Sequence, residues 1–397
     1  MAIASRFDTV RVFGTVLLPT IAKGAVVRRP RVMALAEKLR SDATAIATMR
    51  ALRDRYGPEP LRLRVTGRSL ALLLDPADVG RLLAESPEPF SIATKEKNAA
   101  LEHFQPHGLI VTRGPHRRQL REFNETVLRP PNIPAEEVVR DEGDLLVRHA
   151  RSTGELTWHA LNQAWWRIVR RLVLGNAARQ DDQLTDALKA LRQRANWAYL
   201  SPRAEAAQDR FRRRLRAHLD RREAGSLAAT AEPEQLVEQV PHWLFAFDAA
   251  GIVLMRALAI GGTGARGVLE SARLWPTTPL LLRESTEHTR WHGTLLPTGT
   301  SFVVFTPFFH RDPDRLPFAD RYAPEIWDGP RDPAIVPFSA GPGECPGRDL
   351  VLTAAGTLLD VLTEHLDLPV LSAPLPATLN HFGLRLPVTA AGDRVRG

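Results

Sequence analysis

Phe338-Ser-Ala-Gly341-Pro-Gly343-Glu-Cys345-Pro-Gly347-Arg348 holds the only cysteine of the 397-residue chain. Its three glycines permit tight turns and close backbone approach. Pro346 suits the first turn of a helix, where its missing N–H loses no bond. Cys345 is therefore expected at a helix N-terminus, where backbone N–H groups and the helix dipole favour a thiolate. Phe338 is placed to cover the sulfur from one side. A lone cysteine without such neighbours reads as a small buried hydrophobe.

Working outward, a single cysteine excludes an internal disulfide framework and any cysteine-rich zinc or iron–sulfur site. It fits a reducing compartment, and a soluble cytoplasmic protein is expected. Neither Val10 to Val27 nor Leu244 to Ile260 reads as a signal peptide or a membrane span, because each apolar run is interrupted by charge. Apolar residues make up 44% of the chain, ordinary for a globular protein. The formal charge of +8 favours anionic partners without naming one.

The pattern along the chain is mostly helical. Residues 30 to 56 read as one helix, with Val32, Leu35, Leu39, Ala43 and Ile46 on one face. Leu61 to Val65 alternates like a half-buried strand, and Pro76 to Glu85 reads as a helix capped by Asp75. A loop region from about Pro87 to Pro115 leads into long helical patterns from His116 to Ala259. Thr294 to Pro307 reads as a hairpin turning at Pro297-Thr-Gly299. Pro313 to Pro342 is an ordered meander, Leu350 to Leu368 a helix, and Leu379 to Leu386 a final hairpin.

The spacing Phe338, Gly341, Cys345, Gly347 resembles the FxxGxxxCxG haem-ligand loop of the cytochrome P-450 family. Upstream, Glu270-Ser-Ala-Arg273 resembles that family's ExxR, whose two charges share a helix face and brace the meander. His310-Arg-Asp-Pro and Pro324-Glu325 follow in the family's order. The resemblance runs from about Arg28 to Leu386. It implies a mainly α fold with a minor β lobe, one domain over residues 1–397, with the strands near 57–75, 294–307 and 379–386. It also implies haem b (iron protoporphyrin IX) held by Cys345, with thiolate ligation that favours O–O cleavage.

The resemblance further places propionate contacts on Arg121 and Arg283, and on Arg117 or His116, depending on the register of His116-Arg-Arg-Gln-Leu-Arg121. Gly343 stands where the family usually has His or Arg. In Phe247-Asp248-Ala249-Ala250-Gly251, which should cross over the haem, the family's acid–Thr pair is altered: Asp248 can be the acid, but Ala249 and Ala250 carry no hydroxyl. Asp248 alternatively bends the helix or pairs with a neighbour. The tract before Glu270 is short, and its Gly262-x-Gly264-x-x-Gly267 follows a helical pattern, so a dinucleotide site is not expected.

Phe104, Trp197, Phe245, Pro276, Thr277 and Phe382 are candidates for a pocket suited to an apolar or amphipathic small molecule. The implied activity is a monooxygenase, with a peroxide-using peroxygenase or a ligand-binding haem protein as alternatives. Implied partners are the substrate and a ferredoxin or flavodoxin with its reductase, docking near Arg117, Arg118 and Arg348. No nucleic acid and no stable membrane insertion are expected, and the chain is read as a monomer.

Overall fold

The computed structural model describes residues 1–129 and 133–388. The chain forms two compact units: Met1–Asn98 with Ala272–Cys345 and Ala373–Asn380, and Ala99–Ser271 with Pro346–Ser372 and the segment from His381.

The first unit is built on a five-stranded sheet in the order Leu61–Leu63, Leu70–Leu72, Ser301–Phe305, Leu280–Ser285, Phe90–Ser91. Ser301–Phe305 is central and buried along its whole length, as its unbroken apolar run requires. It pairs in parallel with Leu70–Leu72 and antiparallel with Leu280–Ser285. Leu61 and Leu63 face the core on either side of Arg62. Phe90, Trp291 and Phe302 pack with centroid separations of 5.5, 5.3 and 4.9 Å. Asp75 caps Pro76–Ala84 by accepting from the Ala77 N–H at 2.7 Å.

The expected hairpin from Thr294 to Pro307 is not formed. Thr294–Leu296 pairs instead with Thr289–Trp291. His292 and Gly293, at φ +43° and +78°, supply the two positive-φ positions of a tight hairpin turn. Pro297 to Gly299 then delivers the chain to the central strand. The expected single helix over 30–56 is two, Pro30–Lys38 and Ser41–Tyr56, broken at Arg40 with φ +50°. The break rotates the buried face: Leu35 and Leu39 are exposed, whereas Met33, Ala36, Ala45 and Met49 are buried.

The second unit is helical. Its main helices are Gly114–Val127, Ala135–Thr153, Trp158–Leu174, Asp182–Ala195, Glu205–Leu219, Pro233–Leu258 and Arg348–His365. Gly143 lets two of them touch, because a Cβ there would stand 2.8 Å from Val361 Cγ1. Glu142 is fully buried among Arg167, Arg171 and Arg179. Burial opposes its ionisation, but the Arg179 and Arg167 hydrogen bonds outweigh that and hold its pKa below the usual value. The expected terminal hairpin is absent: Arg385–Pro387 pairs with the distant Glu155–Thr157. The expected loop from Pro87 to Pro115 contains the helix Lys95–Leu101. Among the described residues no helix is long and apolar enough to cross a membrane.

Candidate functional site

In the first unit the cysteine loop is fixed by its backbone. Cys345 N–H donates to Phe338 O at 3.0 Å, and Glu344 N–H to Gly341 O at 2.9 Å. Gly341 has φ +62°, and a Cβ there would meet Leu83 O at 2.5 Å, so only glycine fits. Cys345 is partly buried. The following helix begins at Arg348 with Gly347 as its N-cap, so Pro346 lies just before the cap and not in the first turn as expected. Cys345 still stands two residues before the N-cap, close to the end where the dipole favours an anion.

Arg283, 2% exposed, reaches this loop from the strand Leu280–Ser285. It donates from Nε to Ser86 Oγ at 2.9 Å, from Nη1 to Leu282 O at 3.0 Å and from Nη2 to Ser339 Oγ at 3.2 Å. A Cβ at Gly343 would stand 3.0 Å from Arg283 Nη2 and 2.9 Å from Ile92 Cδ1. A side chain at 343 would therefore have to displace the ends of Arg283 and Ile92.

Arg273 holds the meander from beneath. Its fully buried guanidinium donates to His310 O, Ala319 O, Phe318 O and Arg321 O at 3.0, 3.2, 3.4 and 2.8 Å, and lies over the Phe318 ring. His310 adds a second tie. Its Nδ1 faces Arg273 O at 3.2 Å, and its Nε2 accepts from Val336 N–H at 3.0 Å. Burial pushes its pKa down to about 3, so the ring is neutral, with the proton on Nδ1. Glu270, on the same helix as Arg273, is also fully buried. Pro276 and Thr277 are half-buried, and Thr277 O accepts from Arg28 at 2.6 Å.

In the second unit, Gly114–Val127 places His116 and Arg117 differently. His116 is exposed, whereas Arg117 is buried and Arg121 half-buried. Arg121 pairs with Glu125 at 2.6 Å. A buried Arg117 cannot belong to an exposed docking surface, which leaves exposed Arg118 and the partly exposed Arg348 of the basic set expected there.

The long helix Pro233–Leu258 is buried throughout its last turns, yet His242, Phe245, Ala246 and Ala249 form a half-open stripe at i, i+3, i+4 and i+7. Ala250 is buried, so it does not lie on that stripe. Asp248 is ion-paired with Arg192 of Asp182–Ala195 at 2.6 Å, as the neighbour-pairing alternative foresaw. Arg192 is 2% exposed and lies over the Phe245 ring, 4.8 Å from its centroid. Trp165 Nε1 donates to Phe247 O at 2.7 Å, and a Cβ at Gly251 would meet Trp165 Cδ1 at 2.8 Å. Gly251 is thus the residue that lets the helix press on Trp165. Phe104 packs edge-to-face on Phe245 at 5.8 Å, and Phe382 on Trp158 at 6.0 Å. Trp197 is 53% exposed and lies at the surface, not in a lining position. Sequence reasoning missed Arg192, His310, Ser86 and Trp165. Only His310, standing before Arg-Asp-Pro, carried a local signal.

Residues 267–373 match the family model described as Cytochrome P-450. CYP175A1 from Thermus thermophilus superposes with a TM-score of 0.64 at 20% identity, over 90% of this chain and 97% of that one. The chain has the cytochrome P-450 fold, and its residues 267–373 match that family's model. Cytochrome P-450SP alpha (CYP152B1), solved with (R)-ibuprofen, also shares the fold, with a TM-score of 0.65 at 16% identity over 85% of this chain and 95% of that one. Among curated proteins, cyclooctat-9-en-7-ol 5-monooxygenase of Streptomyces melanosporofaciens is 31% identical over 119 residues, 28% of this chain and 25% of the relative. Human cytochrome P-450 4V2 is 32% identical over 103 residues, 25% of this chain and 20% of the relative. The match to these curated relatives spans a quarter or less of their length.

A cytochrome P-450 carries haem b, and the residues present fit it. A single thiolate supplies one ligand, as suits an iron whose other ligands come with a macrocycle. In the first unit, Gly343 and Gly341 bring backbone where a Cβ would collide, and Arg283 is a fixed cation of the kind that binds a carboxylate.

Proposed function

We propose that this chain is a haem-thiolate monooxygenase of the cytochrome P-450 family, acting in the cytoplasm as one domain over residues 1–397. It inserts one oxygen atom from dioxygen into an apolar or amphipathic small molecule. The carrying observation is the cysteine loop: a lone Cys345 whose N–H is bonded to Phe338 O, on backbone that only glycine permits at 341. Bound there, the haem supplies the oxidation chemistry, and thiolate ligation favours O–O cleavage. The protein's own work is to hold the sulfur anionic, to anchor carboxylates through Arg283 and through Arg117 or Arg121, and to orient substrate. The Phe104–Phe245 pair is the proposed apolar wall. Asp248, held by Arg192, is the proposed proton-handling group, since Ala249 and Ala250 carry no hydroxyl.

Electrons are proposed to come from a ferredoxin or flavodoxin with its reductase. The glycines at 262, 264 and 267 follow a helix, the wrong setting for a dinucleotide loop. Exposed Arg118, with Arg348, suits an acidic partner whose docking weakens with salt. A second reading, peroxide-driven oxygenation, draws support from the absent hydroxyl at 249 and 250, because peroxide arrives already reduced and protonated. The test is product formation from a panel of apolar substrates, with NAD(P)H, ferredoxin and reductase in one arm and hydrogen peroxide alone in the other. Products in the first arm support the proposal. Products only with peroxide favour the second reading. Substrate binding without product in either arm leaves a ligand-binding haem protein.

A further inference from the structure

The N-terminal helix turns the usual surface pattern around. It runs without a break as α-helix Arg6–Val12, π-helix Phe13–Leu17 and α-helix Leu18–Ala22. Val12, Val16, Leu17 and Thr20 face inward. The outward face of such a helix is normally polar. Here its exposed residues are Arg6, Phe7, Val10, Gly14, Leu18 and Ile21. Phe7 and Val10 are 73% and 72% exposed, Leu18 and Ile21 58% and 47%. Spacings of three, four, four and three residues from Phe7 to Ile21 put them in one row. Single exposed apolar residues need no explanation, but an aligned row does. The next helix, Pro30–Lys38, adds exposed Leu35, and Leu39 follows at its C-cap.

Charge selects the occupant. Residues 1–40 contain eight Lys and Arg but only two carboxylates, Asp8 and Glu37. Arg6, Arg31, Lys38 and Arg40 are exposed. Asp8 is buried, and Glu37 is partly buried and accepts from Asn380 N–H at 2.8 Å. An approaching surface therefore meets apolar side chains and cations but no exposed carboxylate from this segment. We propose that the helix Arg6–Ala22, with Pro30–Lys38 beside it in sequence, docks the protein on an anionic lipid surface. Aromatic and aliphatic side chains enter the interface while Arg and Lys meet the headgroups. The helix is too short to cross a bilayer, so it lies on the membrane and does not span it. A second copy of the chain is disfavoured as the occupant, because it brings the same cations against themselves.

The test is co-sedimentation of the full haem-loaded protein with vesicles of phosphatidylcholine alone or of phosphatidylcholine with phosphatidylglycerol, across a salt series. Two variants accompany it: Phe7→Ser with Val10→Ser and Leu18→Ser, and Arg6→Gln with Arg31→Gln and Lys38→Gln. An unchanged absorbance spectrum and circular dichroism confirm that each is folded. The expected result is binding to the phosphatidylglycerol vesicles that weakens with salt. The serine variant should lose about tenfold or more in partition, and the glutamine variant should lose both affinity and salt dependence. The proposal is overturned if the wild type ignores anionic vesicles at low salt, or if the folded serine variant binds as well as wild type. It is also overturned if light scattering shows a dimer that the serine variant dissolves while no vesicle binding is found.

Discussion

Arg273→Ala removes the guanidinium that joins four backbone carbonyls of the meander, those of residues 310, 318, 319 and 321. A hydrogen bond from a charged donor contributes about 1.5–3 kcal/mol net, and a buried acceptor left unpaired costs on the order of 1–3 kcal/mol. The four bonds share one donor group and are not additive. Even so, two at full strength and a cavity at a 0% exposed site give a destabilisation of about 4 kcal/mol or more, in the rare upper range for a point change. Arg273→Lys separates bonding from packing. Its single ammonium cannot fork toward four carbonyls, so it should recover only part of the loss. Urea unfolding followed by circular dichroism measures stability, and haem content after purification reports whether the cysteine loop is still set. A folded Arg273→Ala protein within about 1 kcal/mol of wild type, with full haem content, would refute the bracing role.

His310 gives a pH dependence. Its folded pKa of about 3 lies below the unfolded value, so its contribution is full above that unfolded value and is lost as pH falls toward 3. The slope is about 1.4 kcal/mol per pH unit below roughly pH 6.5. Unfolding of wild type and His310→Asn from pH 7 to 4 should show a steeper loss for wild type; parallel curves would contradict it. Gly343→Arg, which installs the basic residue usual in the family, should lower stability by about 1–3 kcal/mol and reduce haem retention, because it collides with Arg283 and Ile92; equal or better retention would show that the space is available. Asp248→Asn should slow turnover or raise uncoupled peroxide release, with about 10²–10⁴-fold as the scale of a positioned proton donor; unchanged rate and coupling would remove Asp248 from proton handling.

The legible parts of the molecule are those whose cause is local. Gly341 and Gly343 announce a backbone pressed against its neighbours, and the structure places Leu83 O and Arg283 there. Asp75 before Pro76 reads as a cap and is one. Arg273, three residues after Glu270, was expected to brace the meander and holds it through four carbonyls. Illegible features depend on distant partners. The turn residues at 297–299 signal a turn without saying which strands it joins, and the central sheet claims Ser301–Phe305. Arg192 is one arginine among many, and nothing local announces that it meets Asp248, 56 residues away. Arg40 breaks a helix without a glycine or proline to mark the place. Arg117 and Arg118 are adjacent in sequence, but only the helix's orientation decides which is buried.

The central claim is that Cys345 holds haem iron as a thiolate. The most direct measurement is the absorbance spectrum of the reduced, carbon monoxide-bound protein, for wild type and Cys345→Ala. The expected result is the strongly red-shifted Soret band of thiolate ligation in wild type and its absence in the variant. The same red-shifted band in Cys345→Ala, or its absence from fully haem-loaded wild type, would contradict the account.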